Sequence, residues 1–369
     1  MTRTPGGTIP VLLDVDTGID DSLALLYACA SPDVDLVAVT CTGGNIDARQ
    51  VAANTLAVLE LAGRRDVEVA LGRETPLVRP LVTTPETHGP RGIGYAALPP
   101  AARAISPRHG VDVIVEEVHR RPGELTVVCV APLTNLAVAV LRGPELPLLV
   151  GKLVIMGGSF RSSGNTAPTT EWNASVDPEA VKVVYAAFGD PAVQAARIER
   201  GLPPRPIALG LDVTERAKLV PAHLERLAAL AGCAPDGTRA DGTRAAGAHA
   251  DGPRADGPRA DGTVNAVVRY LADALRFYME FHSRYDGFYG AFIHDPYALA
   301  VALDPSLVRI EPVPADIELG GTLTTGETVA DWRRAWGRPD TLDVGVEARA
   351  DAFFERFVDR VGALAAQVG

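Results

Sequence analysis

The chain has 369 residues, 47% of them hydrophobic, and a formal net charge of -11 at pH 7. That is enough apolar material for one large α/β domain or two modest ones. So acidic a surface repels a phosphate backbone, which excludes polymeric nucleic acid and favours a small neutral substrate or a cation. The cysteines, Cys29, Cys41, Cys129 and Cys233, form no CxxC pair. A zinc ribbon and a disulfide framework are therefore excluded, and a reducing compartment is the expectation. Asp14 interrupts the first apolar run, so no signal-peptide core forms. With no stretch long enough for a bilayer, the expected location is the cytoplasm, without a membrane partner.

In chain order, Ile9–Leu13 predicts a buried strand, Ser22–Ala30 a helix, Val34–Thr40 a second strand and Ala48–Ala62 a second helix. Strands follow at Leu125–Val130 and Leu153–Met156, with helices at Asn135–Leu141 and Pro178–Phe188. This alternation predicts an α/β fold, a doubly wound, mostly parallel sheet with helices on both faces. Ligands of such sheets bind outside the carboxyl ends of the strands. Cys233–Gly262 breaks the pattern. It repeats DGTRA from Asp236 and Asp241 and DGPRA from Asp251 and Asp256, with no apolar periodicity. Such a segment, His249 included, buries too little to offset its ordering entropy and is expected to be a disordered insertion in a single domain of residues 1–369. A long helix is expected from Val264 to about Phe281, and an amphipathic helix over Ala350–Val368 closes the chain.

The first strand runs into VLLDVDTGIDDSLAL, where Asp14, Asp16, Asp20 and Asp21 crowd one turn. Capping of the helix at Ser22 by Asp20 or Asp21 accounts for one carboxylate but not for the others. Like charges this close raise one another's pKa unless a cation intervenes, and oxygen donors favour a hard divalent one. Three metal sites are compatible with the turn. A calcium loop of the EF-hand type lacks its closing Glu and is preceded by a strand where a helix belongs. A haloacid-dehalogenase-type phosphatase also carries DxD after its first strand, but here Gly18 and the Asp20–Asp21 pair are out of place. The third is decided by motifs further on.

Those motifs are GGN at Gly43–Asn45, APLTNLA at Ala131–Ala137, MGG at Met156–Gly158, GNTAPTTEWN at Gly164–Asn173 and HDP at His294–Pro296. With DVDTGIDDSLAL, their order and spacing resemble the inosine–uridine-preferring nucleoside hydrolases over nearly the whole chain outside the insertion. The resemblance implies Ca²⁺-dependent cleavage of the N-glycosidic bond of ribonucleosides, giving free base and ribose, as in purine and pyrimidine salvage. It implies one Ca²⁺ per subunit, held by Asp16, Asp21, Asp295 and the carbonyl of Thr134, and a homo-dimer or homo-tetramer. Asp16 would also be the general base. Asn45, Asn165, Glu171 and Asn173 would hold the sugar, with Asp20 on a ribose hydroxyl, and Met156 and Trp172 would line the pocket. His294 would serve the leaving base, and His88, in THGPRGIG, would belong to a loop that closes over substrate. His294 suits an inosine–uridine or pyrimidine preference; Tyr285, Phe288 and Tyr289 stack on the base or belong to the core. Thr17 stands where the family often has Pro, and Thr325–Gly326 where Arg–Gly is common. Asp14 has no role beyond orienting the turn. The rivals are a Mg²⁺-dependent phosphatase of the haloacid dehalogenase type and a nucleoside- or ribose-binding protein without catalysis.

Overall fold

The computed structural model describes residues 7–239 and 264–369. Eight strands form the central sheet: β1 (Ile9–Val15), β2 (Val34–Cys41), β3 (Glu68–Leu71), β4 (Thr126–Cys129), β5 (Lys152–Met156), β6 (Ile207–Leu209), β7 (Val308–Val313) and β8 (Leu342–Ala348). Their spatial order is β3-β2-β1-β4-β5-β6-β8-β7. Every pair is parallel except β8 with β7 at one edge. The doubly wound, mostly parallel fold read from the alternation is therefore present, with an antiparallel edge that the alternation did not show.

Neighbouring residues of β1 serve opposite faces, as a pleated strand requires. Val11, Leu13 and Val15 join one core with the helices α1 (Ile19–Cys29) and α2 (Ala48–Leu61). Leu12 joins a second core with α3 (Thr134–Arg142) and the helices Gly110–Arg120 and Pro178–Gly189. A short helix α4 (Trp172–Val176) follows the loop after β5. The first core also takes in the buried faces of α5 (Ala266–Tyr285), α6 (His294–Leu303) and α7 (Ala350–Val368). Because β1 leads outward to β2 while its other neighbour β4 leads outward to β5, the chain leaves their carboxyl ends in opposite directions. A crevice opens at that switch point.

The composition-based boundary of the insertion begins too early. Cys233 is buried in the core, bridges join Cys233 to Arg239 and Thr238 to Val264, and Asn265 N donates to Gly237 O. Residues 240–263, with His249, lie outside the described residues. No described helix is long and apolar enough to cross a membrane.

Candidate active site

The acidic turn begins where β1 ends. α1 starts at Ile19 with Gly18 as its N-cap, so Asp20 and Asp21 lie inside the first turn instead of capping a helix at Ser22. Asp21 reaches back to accept from the backbone N–H of Asp16 (3.1 Å) and Gly18 (2.8 Å) and from Asn45 Nδ2 (3.2 Å). Asp16 Oδ2 accepts from Asn45 N at 2.7 Å. A Cβ on Gly44 would lie 2.1 Å from that oxygen, so only glycine lets the GGN backbone approach Asp16. Asp14 is tied below, its Oδ1 accepting from Thr40 Oγ1 (2.5 Å) and Asn135 Nδ2 (2.8 Å). It joins β1 to β2 and α3.

Across the crevice, α6 brings Asp295 so that one carboxylate oxygen each of Asp20, Asp21 and Asp295 lies within 4.8 Å of the others. All are buried. Burial first, and the charge of Asp21 second, push Asp20 up to about 8. Asp16 and Asp295 are held well above the usual carboxylate range by burial and by their acidic neighbours. Burial raises Asp14 to about 7 against its two hydrogen bonds. Asp14 Oδ2 and Asp16 Oδ1 are buried with no hydrogen-bond partner among the described residues. Buried carboxylates facing one another, with an orphaned oxygen among them, are a donor set that fits a hard divalent cation.

Two placements bear on the expected roles. Asp20, expected on the sugar, shares the close carboxylate group with Asp21 and Asp295, and Asp16 is not one of that group. Thr134 is the first residue of α3, its hydroxyl donates to Asp177 Oδ2 at 2.7 Å, and it does not line the cavity. Val130, at the exit of β4, does line it.

The sugar side is built by α4 and the loop before it. Glu171 caps α4, accepting from the N–H groups of Asn173 (2.9 Å) and Ala174 (3.0 Å), and also from Gly158 N (2.9 Å). Burial raises its pKa and these three N–H groups oppose the rise. Asn165 Oδ1 accepts from Trp172 N at 3.0 Å. Asn173 Nδ2 donates to Val130 O (3.0 Å) and Met156 O (3.3 Å), joining the exits of β4 and β5. Gly326, at φ +83°, packs under this loop, where a Cβ would meet Thr170 at 2.9 Å. Thr17 fits its turn by a hydroxyl contact to Thr55 Oγ1 at 2.7 Å.

The opposite side is aromatic. His88 Nδ1 accepts from Ile19 N at 3.1 Å, which leaves the ring proton on Nε2. Its ring lies 5.4 Å from Tyr278, and Tyr278 lies 4.6 Å from His282. His282 Nδ1 meets Asp286 Oδ2 at 2.7 Å, and its Nε2 is buried without a partner. His294 Nδ1 meets Thr214 Oγ1 at 2.9 Å. Burial, reinforced by His282, lowers both His88 and His294 to about 3, so both are neutral at physiological pH. For His282 burial likewise lowers the pKa, opposed by Asp286.

Asp20, Asn45, His88, Met156, Asn165, Glu171, Trp172, Asn173, His294 and Asp295 line one cavity of about 480 Å³. Asp16 and Asp21 lie outside its lining. Tyr285 joins it; Phe288 stacks on His282 at 5.6 Å outside the lining, and Tyr289 is half exposed. Glu215, Tyr278, His282 and Asp286 line it too and were missed from the sequence. Tyr278, His282 and Asp286 recur every four residues along α5 and just past its end, so their shared face was a usable signal.

A carboxylate floor opposed by an imidazole and aromatic wall suits a hydrolase that parts a polyhydroxylated sugar from a planar base. The family follows from comparison: residues 11–355 match the model of inosine-uridine preferring nucleoside hydrolases, and the chain belongs to that family. It is 31% identical to the pyrimidine-specific ribonucleoside hydrolase RihA of Enterobacter sp. (strain 638), covering 96% of this chain and 97% of the relative. Among solved structures it is similar to the purine-preferring ribonucleoside hydrolase from Gardnerella vaginalis, with a TM-score of 0.80, 28% identity and coverage of 97% and 99% of the two chains. The plant nucleoside hydrolase PpNRh1 aligns with a TM-score of 0.78, 27% identity and coverage of 96% and 99%. The chain is thus a hydrolase acting on N-glycosyl bonds, with a nucleoside as its small-molecule substrate.

Proposed function

We propose that this chain hydrolyses ribonucleosides to free base and ribose with one Ca²⁺ on the acidic floor, in purine and pyrimidine salvage. The observation that carries the reading is the buried group Asp16, Asp20, Asp21 and Asp295, which among the described residues has no cationic side chain against it and faces a wall of histidines. Asp16, Asp21 and Asp295 hold the ion, with the carbonyl of Val130, a residue that lines the cavity, in the place first given to Thr134. A hard cation there supplies the positive charge that makes water acidic enough to act as a nucleophile at neutral pH.

The side chains do the rest. Asp16 is fixed by Asn45 through Oδ2, so its unpartnered Oδ1 is the oxygen that takes a proton. Asp20 engages a ribose hydroxyl from the cavity floor, and Asn45, Asn165 and Asn173 position the sugar. Glu171 commits both oxygens to main-chain N–H groups and sets the angle at which Trp172 and Asn173 present themselves. The surrounding carboxylates stabilise the positive charge that grows on the ribose ring as the glycosidic bond breaks. The departing base needs a donor. His88 carries its proton on Nε2, and His294 does the same when the Thr214 hydroxyl donates to its Nδ1.

The phosphatase reading needs the first aspartate of the turn to be the nucleophile. Asp14 is instead bonded to Thr40 and Asn135 below the turn, which weighs against it. The intact proton acceptor at Asp16 weighs against a purely binding protein. An assembly of two or four copies agrees with the exposed apolar side chains of Val78, Val82 and Leu323, near the contact of Arg79 with Leu319 O. Four unpaired cysteines agree with a reducing, cytoplasmic setting. The test is ribose release from a broad nucleoside panel, before and after chelation. Release that stops on chelation and returns with Ca²⁺ is expected; no ribose from any nucleoside in Ca²⁺ overturns the reading.

A further inference from the structure

The base-facing end of the cavity carries acceptors that no described residue uses. Glu215 directly follows Thr214, the partner of His294, and lines the cavity. Its carboxylate is partly buried, and no hydrogen bond reaches it among the described residues; burial and then Asp286 oppose its charge, while Arg216 and Lys218 favour it. His282 gives its Nδ1 proton to Asp286, so in the neutral ring Nε2 is a bare acceptor, buried and without a partner. Around these two acceptors stand Phe281, Tyr285 and Phe292, surfaces on which a planar ring stacks.

Glu215 and His282 line one cavity and share Asp286 as a neighbour, and two such acceptors without a donor among the described residues call for a ligand group that donates twice. Resting on the nucleoside hydrolase reading, we propose that Glu215 and His282 Nε2 together bind the exocyclic amino group of the base, so that the site favours 4-amino pyrimidine and 6-amino purine ribosides over their oxo counterparts. An amino group gives one hydrogen to each acceptor. An oxo group at the same place sets its lone pairs against a carboxylate and a bare imidazole nitrogen, which leaves all three unpaired and repelling. The selection is blind to ring size, because it acts on one substituent at the far edge of the base.

The experiment compares kcat/KM for cytidine with uridine and for adenosine with inosine, and includes p-nitrophenyl β-D-ribofuranoside, which has no amino or oxo group there. Wild type is expected to favour the amino member of each pair by roughly tenfold or more. Glu215→Gln, whose amide donates as well as accepts, is expected to shrink both ratios by a similar factor; each ratio is internal to one preparation, so partial misfolding cancels. Equal rates within both pairs, or ratios untouched by E215Q, overturn the proposal while p-nitrophenyl riboside turnover leaves the hydrolase reading standing. Failure to cleave any riboside, that one included, removes both.

Discussion

The two ends of the cavity are built on opposite plans. At the sugar end the polar side chains are anchored to the scaffold: Glu171 takes three main-chain N–H groups, Asn173 spans the exits of two strands, and Asp16 and Asp21 are gripped by Asn45 and the turn around Gly18. At the base end neither His282 Nε2 nor the Glu215 carboxylate has a hydrogen-bond partner among the described residues. The first end is held by loops pinned at strand exits, the second by the face of α5 and the residues beside it. A ribose presents the same hydroxyls in every nucleoside, so its receptor can be rigid and anchored before substrate arrives. Bases differ at their edges, and the groups that read them stay unpaired until a base supplies the partner.

The comparison breaks first at Asp16. Asp16→Asn is expected to lower kcat by roughly three orders of magnitude or more, since it removes the proton acceptor. It also removes one charge from a buried cluster of like charges. Measured after chelation, its Tm should therefore equal or exceed that of wild type. Loss of activity together with a lower Tm would make Asp16 a structural residue. The next effect is smaller and depends on the base. His282→Ala should cost natural nucleosides about tenfold to a hundredfold in kcat/KM, and p-nitrophenyl riboside, whose leaving group needs no recognition at that edge, only a few-fold. An equal loss on both would mean that His282 supports the cavity instead of reading the base.

What the sequence made legible follows the same division. The sugar and metal end is written in short, contiguous motifs at strand exits, so GGN, GNTAPTTEWN and HDP could be read as a set. The proposed main-chain ligand moves from Thr134 to Val130, because which of the two faces the cavity depends on where α3 begins, and the ends of helices are the least certain feature of a sequence pattern. The same uncertainty at α1 put Asp20 and Asp21 at a cap instead of inside the first turn. The base end draws on α5, where Tyr278 and His282 are two polar-edged aromatics in a helix whose apolar stripe explains them equally well as core. Only the packing of α5 over α1 and the loop of His88 turns that face into a wall. Glu215 had no motif around it, and its position depends on a short helix after β6 that composition did not announce.

The smallest effect concerns stability and tests whether the His88 loop belongs to the rigid end or the open one. His88 is buried, accepts from Ile19 N, and has its pKa lowered to about 3, first by burial and then by His282. Its unfolded value is 6.5. Between those two values the unfolded chain binds a proton that the native protein does not. The neutral ring therefore contributes stability that is complete above about pH 6.5 and is lost as the pH falls toward 3, at up to about 1.4 kcal/mol per pH unit. Carboxylates titrate in the same window, so the quantity to measure is the difference between wild type and His88→Gln in chemical unfolding from pH 7 to pH 4. Gln keeps an acceptor for Ile19 N and cannot be charged by acid, so its stability should fall less steeply, and the two curves should converge on acidification. Parallel curves would mean that the loop opens and solvates the ring before it takes a proton, which would move His88 to the adaptable end of the cavity with His282.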